Sequence, residues 1–157
     1  MNTTLDIIPY SRDFHDDLVR MITEVLDEFG FDFGVGGLER DLEQLEHGGR
    51  YHGTEEGFWL LLDEGRVIGS VAIRKKDGMT CELKRLYLQG DYRGQGLGQK
   101  LYEFAEECAR AARYKKIWLD SSRRFKKAKA LYLRNGFTLI EELDNAWEDS
   151  VYEKALD

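Results

Sequence analysis

Proline is almost missing from this 157-residue chain; the only one is Pro9, so turns and helix ends must rely on its 16 glycines. Cysteine is equally scarce. Cys81 and Cys108 stand far apart with no Cys-x-x-Cys spacing, in apolar-patterned segments where a free thiol packs as a small hydrophobe, so neither a disulfide framework nor a zinc site is expected. The three histidines, His15, His47 and His52, have no ligand partners at useful spacing, and no metal is expected. No run approaches the ~18 apolar residues of a membrane span, and Met1 to Asp6 carry neither a basic nor an apolar leader region. The expected location is the cytoplasm, without a membrane partner. Positive charge is also in deficit. The formal net charge of −7 repels phosphodiester backbones, which makes nucleic acid a poor partner.

What is present is globular material. A 42% hydrophobic fraction with 12% aromatic residues supports a packed core, and the length fits one domain, residues 1–157, at ~100–200 residues per domain. Leu5, Ile7 and Ile8 read as a short strand that Pro9 confines to an edge or a strand end. Phe14, Leu18, Met21, Ile22, Val25 and Phe29 have helical spacing, with Ser11 as the expected N-cap, and Leu38, Leu42 and Leu45 give a second helix before Gly48. The glycine-rich loops at 30–37 and 48–57 are expected to be mobile. Two apolar runs, 58–62 and 66–73, flank the hairpin signal Asp63-Glu64-Gly65, and a third strand follows at Cys81 to Leu88. Leu97 to Ala112 is amphipathic at helical spacing. A strand at 116–120, a short helix stopped by Asn135-Gly136, and strands at 137–140 and 150–153 complete the order β, α, α, β, β, β, α, β, α, β, β.

The informative stretch runs from Glu82 to Gly98. Cys81 and Leu83 are apolar at odd positions, Leu86 and Leu88 at even ones, so the period-2 phase slips by one residue. An extra residue near Lys84-Arg85, a β-bulge, produces such a slip and frees backbone groups for an extended ligand; a strand buried on both faces gives the same pattern without one. Beyond it, Arg93-Gly94-Gln95-Gly96-Leu97-Gly98 enters a helix, and glycines at alternate positions let amide N–H groups converge on a pyrophosphate. A Walker loop is rejected because Gly98-Gln99-Lys100 replaces its Gly-Lys-Ser/Thr. A dinucleotide fingerprint counted from Gly94 fails at Gln99, although Asp120 stands about where a ribose-binding acid belongs. A glycine-rich turn with no ligand remains a third reading.

Arg93-Gly94-Gln95-Gly96-Leu97-Gly98 is similar to the [Gln/Arg]-x-x-Gly-x-[Gly/Ala] signature of the GNAT superfamily of acyl-CoA N-acyltransferases. Ala130-Leu131-Tyr132-Leu133-Arg134-Asn135-Gly136-Phe137 resembles that family's second hallmark, a tyrosine four residues before Gly-Phe. The resemblance implies an α/β fold of GNAT type, with a mixed, mostly antiparallel sheet, a bulged and splayed central strand, and flanking helices. It implies acetyl-CoA as cosubstrate, its pantetheine arm on the backbone of Leu86, Tyr87 and Leu88 and its pyrophosphate on the amides of Arg93, Gly94, Gln95, Gly96, Leu97, Gly98 and Gln99. Tyr132 matches the tyrosine directed at the coenzyme sulfur, and Glu82 stands where some members place a general base. A salt-bridged strand residue beside Lys84 and a core aromatic are the plain alternatives for these two. Many members carry an asparagine where this chain has Phe125, so either Phe125 packs on the arm or Ser121 or Ser122 supplies the donor. The basic run Arg123, Arg124, Lys126, Lys127 and Lys129 reads first as a solvated helix face, with attraction of coenzyme phosphate or of an acidic substrate as the alternatives.

The implied reaction is acetyl transfer to a primary amine of a small molecule or peptide, by direct attack in a ternary complex; the family resemblance leaves a homodimer open. Freeing an amine of pKa ~10.4 at pH 7 costs ~4.6 kcal/mol, and an ordinary carboxyl lies about six units lower, so a carboxylate base needs a raised pKa or a water relay. Tyrosine near ~10 donates poorly to a thiolate of pKa ~8.5, which favours Tyr132 as a hydrogen-bond donor. A backbone N–H near Leu86 would polarise the carbonyl. An acyl-CoA-binding module needs neither Glu82 nor Tyr132, and a nicotinamide oxidoreductase would be protected by NAD instead of coenzyme A. Acidic residues from Asp27 to Glu46 lean towards a cationic acceptor.

Overall fold

Edge placement begins at the first strand: among the described residues β1 (Leu5–Pro9) pairs with β2 (Gly57–Asp63) alone, and Pro9, which cannot donate to a ladder, ends it. The computed structural model describes residues 5–32, 37–48, 51, 53–143 and 150–157. A seven-stranded sheet has the order β1-β2-β3-β4-β5-β7-β6, with β3 at Arg66–Lys75, β4 at Thr80–Leu88, β5 at Lys116–Ser121, β6 at Thr138–Glu142 and β7 at Ser150–Ala155. Every neighbouring pair is antiparallel except β4 and β5. The two-residue turn joining β2 to β3 uses Glu64 and Gly65 at φ 50° and 81°, the primed geometry that the Asp-Glu-Gly signal predicts.

Helices α1 (His15–Glu28) and α2 (Leu38–Glu46) cover one face of the sheet, burying Leu18, Met21, Ile22, Leu38 and Leu42 against Leu60, Val67 and Ala72. Helices α3 (Leu97–Ala111) and α4 (Lys126–Arg134) cover the other, where Leu101, Ala105 and Leu131 meet Ile68, Cys81 and Ile117. Ser11 does not cap α1. Its hydroxyl accepts from the Asp13 amide at 3.4 Å, within a 3-10 turn at Arg12–Phe14, and Phe14 occupies the cap position of the helix. The two glycine-rich loops expected to be mobile fall partly on residues 33–36, 49–50 and 52, outside the described residues.

β4 positions the site. Its ladder with β3 pairs Ala72 with Lys84 but Ser70 with Tyr87, so two residues, Arg85 and Leu86, oppose Val71. Arg85 adopts φ 55°, a left-handed conformation costly for a side chain, and its carbonyl accepts from Ser70 Oγ at 2.8 Å. The bulge explains the phase slip: Cys81 and Leu83 before it and Leu86 and Leu88 after it face the same core. On its other edge β4 pairs with β5 only from Thr80 to Glu82, opposite Lys116 to Trp118. Beyond Glu82 the two strands part, and among the described residues the edge of β4 from Leu83 onward has no strand partner there.

Candidate active site

A cleft of about 730 Å³ occupies the opening between β4 and β5. Its size suits a cosubstrate or drug-sized ligand. The wall gathers Leu86, Tyr87 and Leu88 from the bulged strand, Arg93, Gly94, Gly96, Leu97, Gly98 and Gln99 from the glycine turn and α3, and Phe125 and Tyr132 from the α4 side. Two expected residues are not on it. Gln95 lies between the two left-handed glycines and is exposed to solvent. Glu82 precedes the opening, where β4 still pairs with β5, and its carboxylate accepts from Arg74 Nη2 and Lys84 Nζ, each at 3.3 Å.

The glycine turn is built for an anion. Gly94 and Gly96 both have φ 79°, and a Cβ at either would meet nothing within 4 Å, so the conformation, not crowding, demands glycine. Gly96 caps α3 without a side-chain hydrogen bond, and the first turn of the helix contains no acidic residue. Its amides and its positive dipole end are therefore free for phosphate oxygens. Arg93 braces the turn from behind. Its guanidinium donates twice to the Leu88 carbonyl, at 3.1 and 2.8 Å, and pairs with Glu28 of α1. Gln99 and Asn135 exchange amide hydrogen bonds of 2.8 Å, tying α3 to the end of α4.

Tyr132 is buried among Phe137 and Tyr152, with ring centroids 5.7 and 5.8 Å away. Among the described residues its hydroxyl has no hydrogen-bond partner. Burial raises its pKa, helped by the charges of Tyr87, Tyr152 and Asp120, so the phenol stays protonated as a donor. Phe125 forms an aromatic wall with Phe29 and Phe31, at centroid distances of 4.8 and 5.5 Å. Arg124 lies over Phe31 and donates to the carbonyls of Phe29 and Gly30, closing the β5–α4 loop onto the end of α1. Ser122 accepts from the Arg124 amide, and both Ser121 and Ser122 line the cleft. Of the basic run, Arg124, Lys126 and Lys127 reach the wall.

Behind the bulge, Arg85 donates to Asp41 of α2 at 2.9 Å, and Tyr51 donates to the same carboxylate at 2.7 and 2.9 Å. Burial would lower the Arg85 pKa, but Tyr87 and Asp41 hold it above its ordinary value. Of the acidic residues between Asp27 and Glu46 only Glu28 lines the cleft, so the expected lean towards a cationic acceptor has little support from that segment.

Residues 19–137 match the model of the acetyltransferase (GNAT) family. The chain belongs to the GNAT family and is an acetyl-CoA-dependent acyltransferase. It is 32% identical over 129 residues to the uncharacterized N-acetyltransferase YjgM of Escherichia coli K12, covering 79% of this chain and 76% of that protein. A GNAT acetyltransferase from Staphylococcus aureus Mu50 superimposes with a TM-score of 0.86 at 24% identity, over 98% of this chain and 100% of the other. The PaiA N-acetyltransferase of Thermoplasma acidophilum, solved with coenzyme A, superimposes at 0.76 with 18% identity, over 98% and 99%. This GNAT site contains more than its motifs announced. Phe29 reads in sequence as one more apolar helix position, and Phe31 as one of several aromatics around a glycine-rich loop, so no local signal set either apart. Lys84 and Arg85 stand on the wall because the bulge turns their segment towards the opening. Among the described residues no group of three or more His, Cys, Asp or Glu could hold a metal, and no helix is long and apolar enough to cross a membrane.

Proposed function

We propose that this protein transfers an acetyl group from acetyl-CoA to a primary amine of a small molecule or peptide, by direct attack within a ternary complex. The observation that carries the reading is the partnerless hydroxyl of Tyr132 on the wall of a cleft that also exposes the uncapped start of α3. The amides from Arg93 to Gln99 and the exposed Lys126 and Lys127 would hold the coenzyme phosphates. The free edge of β4 at Leu86, Tyr87 and Leu88 suits an extended amide-bearing arm, which Phe125 would flank with its ring. Tyr132 steadies the departing thiolate by a hydrogen bond and does not surrender its proton outright. Glu82 enters as the outer end of a relay, through Lys84 or water, because its carboxylate does not reach the cleft.

A thermal-shift comparison of coenzyme A with NAD tests the class. At 100 Kd a ligand stabilises by ~2.7 kcal/mol, or roughly 5–10 °C for a chain of this size. Coenzyme A should give that shift and NAD none; the opposite result makes the protein a nucleotide oxidoreductase. A thiol-release screen of acetyl-CoA against polyamines, amino acids, aminoglycosides and peptide N-termini then identifies the acceptor.

A further inference from the structure

Two carboxylates stand on the cleft wall among the described residues, Glu28 and Asp120. Glu28 is engaged by Arg93. Asp120, half buried at the end of β5, has no hydrogen bond or ion pair with any described residue. A carboxylate drawn from water needs a cationic or donor partner, and here that partner has yet to arrive. We infer that Asp120 is the carboxylate that meets the acceptor in the proposed acetyl transfer, docking its ammonium and taking its first proton.

Register supports the assignment. Thr80, Cys81 and Glu82 oppose Lys116, Ile117 and Trp118; two residues further along, where the strands have parted, Asp120 lies across the gap from Lys84. Ile117 and Leu119 point into the core under α3, so alternation turns Asp120 to the opposite face, the one that α1 and α2 cover. Tyr132 comes from the α3 and α4 side, yet the Asp120 charge acts on its hydroxyl. The two groups thus approach one gap from opposite faces, which lets an amine and a thioester enter from different sides. Besides Glu28 and Tyr132, the other charged and titratable groups on the wall are Lys84, Arg85 and Tyr87 on β4, Lys126, Lys127 and Arg134 on α4, and Arg93 and Arg124.

In the transfer step the ammonium R–NH3+ gives one proton to Asp120, which passes it through water to solvent. The freed lone pair forms the N–C bond at the thioester carbonyl, the C–S bond breaks, and the sulfur leaves with the bonding pair. The second nitrogen proton ends on that sulfur, so one amide, one thiol and one solvent proton result.

The test measures steady-state transfer to spermidine, L-lysine and butylamine over pH 6 to 9, with acetyl-CoA affinity followed separately by calorimetry. Asp120→Asn should lower kcat/KM for the amine by ~10²–10⁴, leave the acetyl-CoA Kd unchanged, and lose less as rising pH supplies free amine. Asp120→Glu should restore part of the rate, and Glu82→Gln, which removes only the outer end of the relay, should lower the rate less than Asp120→Asn does. Full activity in Asp120→Asn, or a deficit carried by Glu82→Gln alone, overturns the assignment while leaving acetyl transfer intact. A wild-type protein that binds acetyl-CoA but acetylates none of the three amines overturns the transfer reading and this assignment with it.

Discussion

Placing a negative charge at Gly98 separates the two things the start of α3 does. Gly98 has ordinary helical backbone, and a Cβ there would meet only Leu131 Cδ1 at 3.6 Å, an ordinary contact. The first turn holds no acid, so Gly98→Asp adds one where a helix favours it, by ~0.3–1 kcal/mol, and Tm should rise by roughly 1–4 °C. On the proposed reading the same carboxylate would face the pyrophosphate. With two phosphate charges at about 6 Å, 332/(εr) gives ~1.4 kcal/mol in bulk water and ~5.5 kcal/mol at an effective ε of 20, a tenfold to ten-thousandfold loss of affinity. Isothermal calorimetry with coenzyme A in 50 mM and 500 mM salt reads the effect, which should shrink at high salt. Gly98→Ala is the control, adding the Cβ without charge and keeping affinity within a few-fold. A Gly98→Asp protein that is more stable yet binds coenzyme A as tightly as wild type would refute the anion site.

Tyr132→Phe should keep coenzyme A affinity and cost ~1.5–3 kcal/mol of transition-state stabilisation, one to two powers of ten in kcat, with the acidic limb of the pH profile unmoved; a changed acidic limb would make Tyr132 a proton carrier. Asp41→Ala leaves Arg85, 7% exposed, without its counter-ion and should destabilise by ~3–5 kcal/mol in urea. In an Arg85→Gly background, where glycine takes the bulge conformation freely, that loss should fall away, and a persisting loss would show that Asp41 serves Tyr51 instead. Glu106 accepts from Lys154 and Tyr102 and, despite partial burial that acts the other way, has a lowered pKa. Its contribution is therefore complete above the ordinary carboxyl pKa and disappears as pH falls through the lower native value, so Glu106→Gln should depress Tm at pH 7, begin to converge with wild type as pH falls below the ordinary carboxyl pKa, and meet it only below the lower native value.

Element order was legible because each element carries its own pattern: helical spacing in α1 and α3, continuous apolar runs in β2 and β3, and a glycine at φ 92° after α4. The bulge was legible for the same reason, since a slipped phase has one simple structural cause. The aromatic wall of the cleft was not. It joins Phe29 and Phe31 to Phe125, almost a hundred residues later, and no local pattern marks three aromatics that meet only through the fold. Glu82 shows the limit most clearly: spacing placed it near the signature, but register across the β3–β4 hairpin brings Arg74 to its carboxylate. Asp120 was visible in sequence under the wrong chemistry, as a ribose acid, because only the parting of β4 and β5 gives it an amine to face.

The parallel seam between β4 and β5 has a mechanical consequence. Three residue pairs join a four-stranded antiparallel half to a three-stranded one, and each half is laddered within itself along its strands apart from local bulges. Compliance is therefore concentrated in one line: twisting one half against the other disturbs few hydrogen bonds, whereas bending either half breaks many. A bulkier thioester in the cleft would therefore be met first by rotation about that line, before either half of the sheet bends.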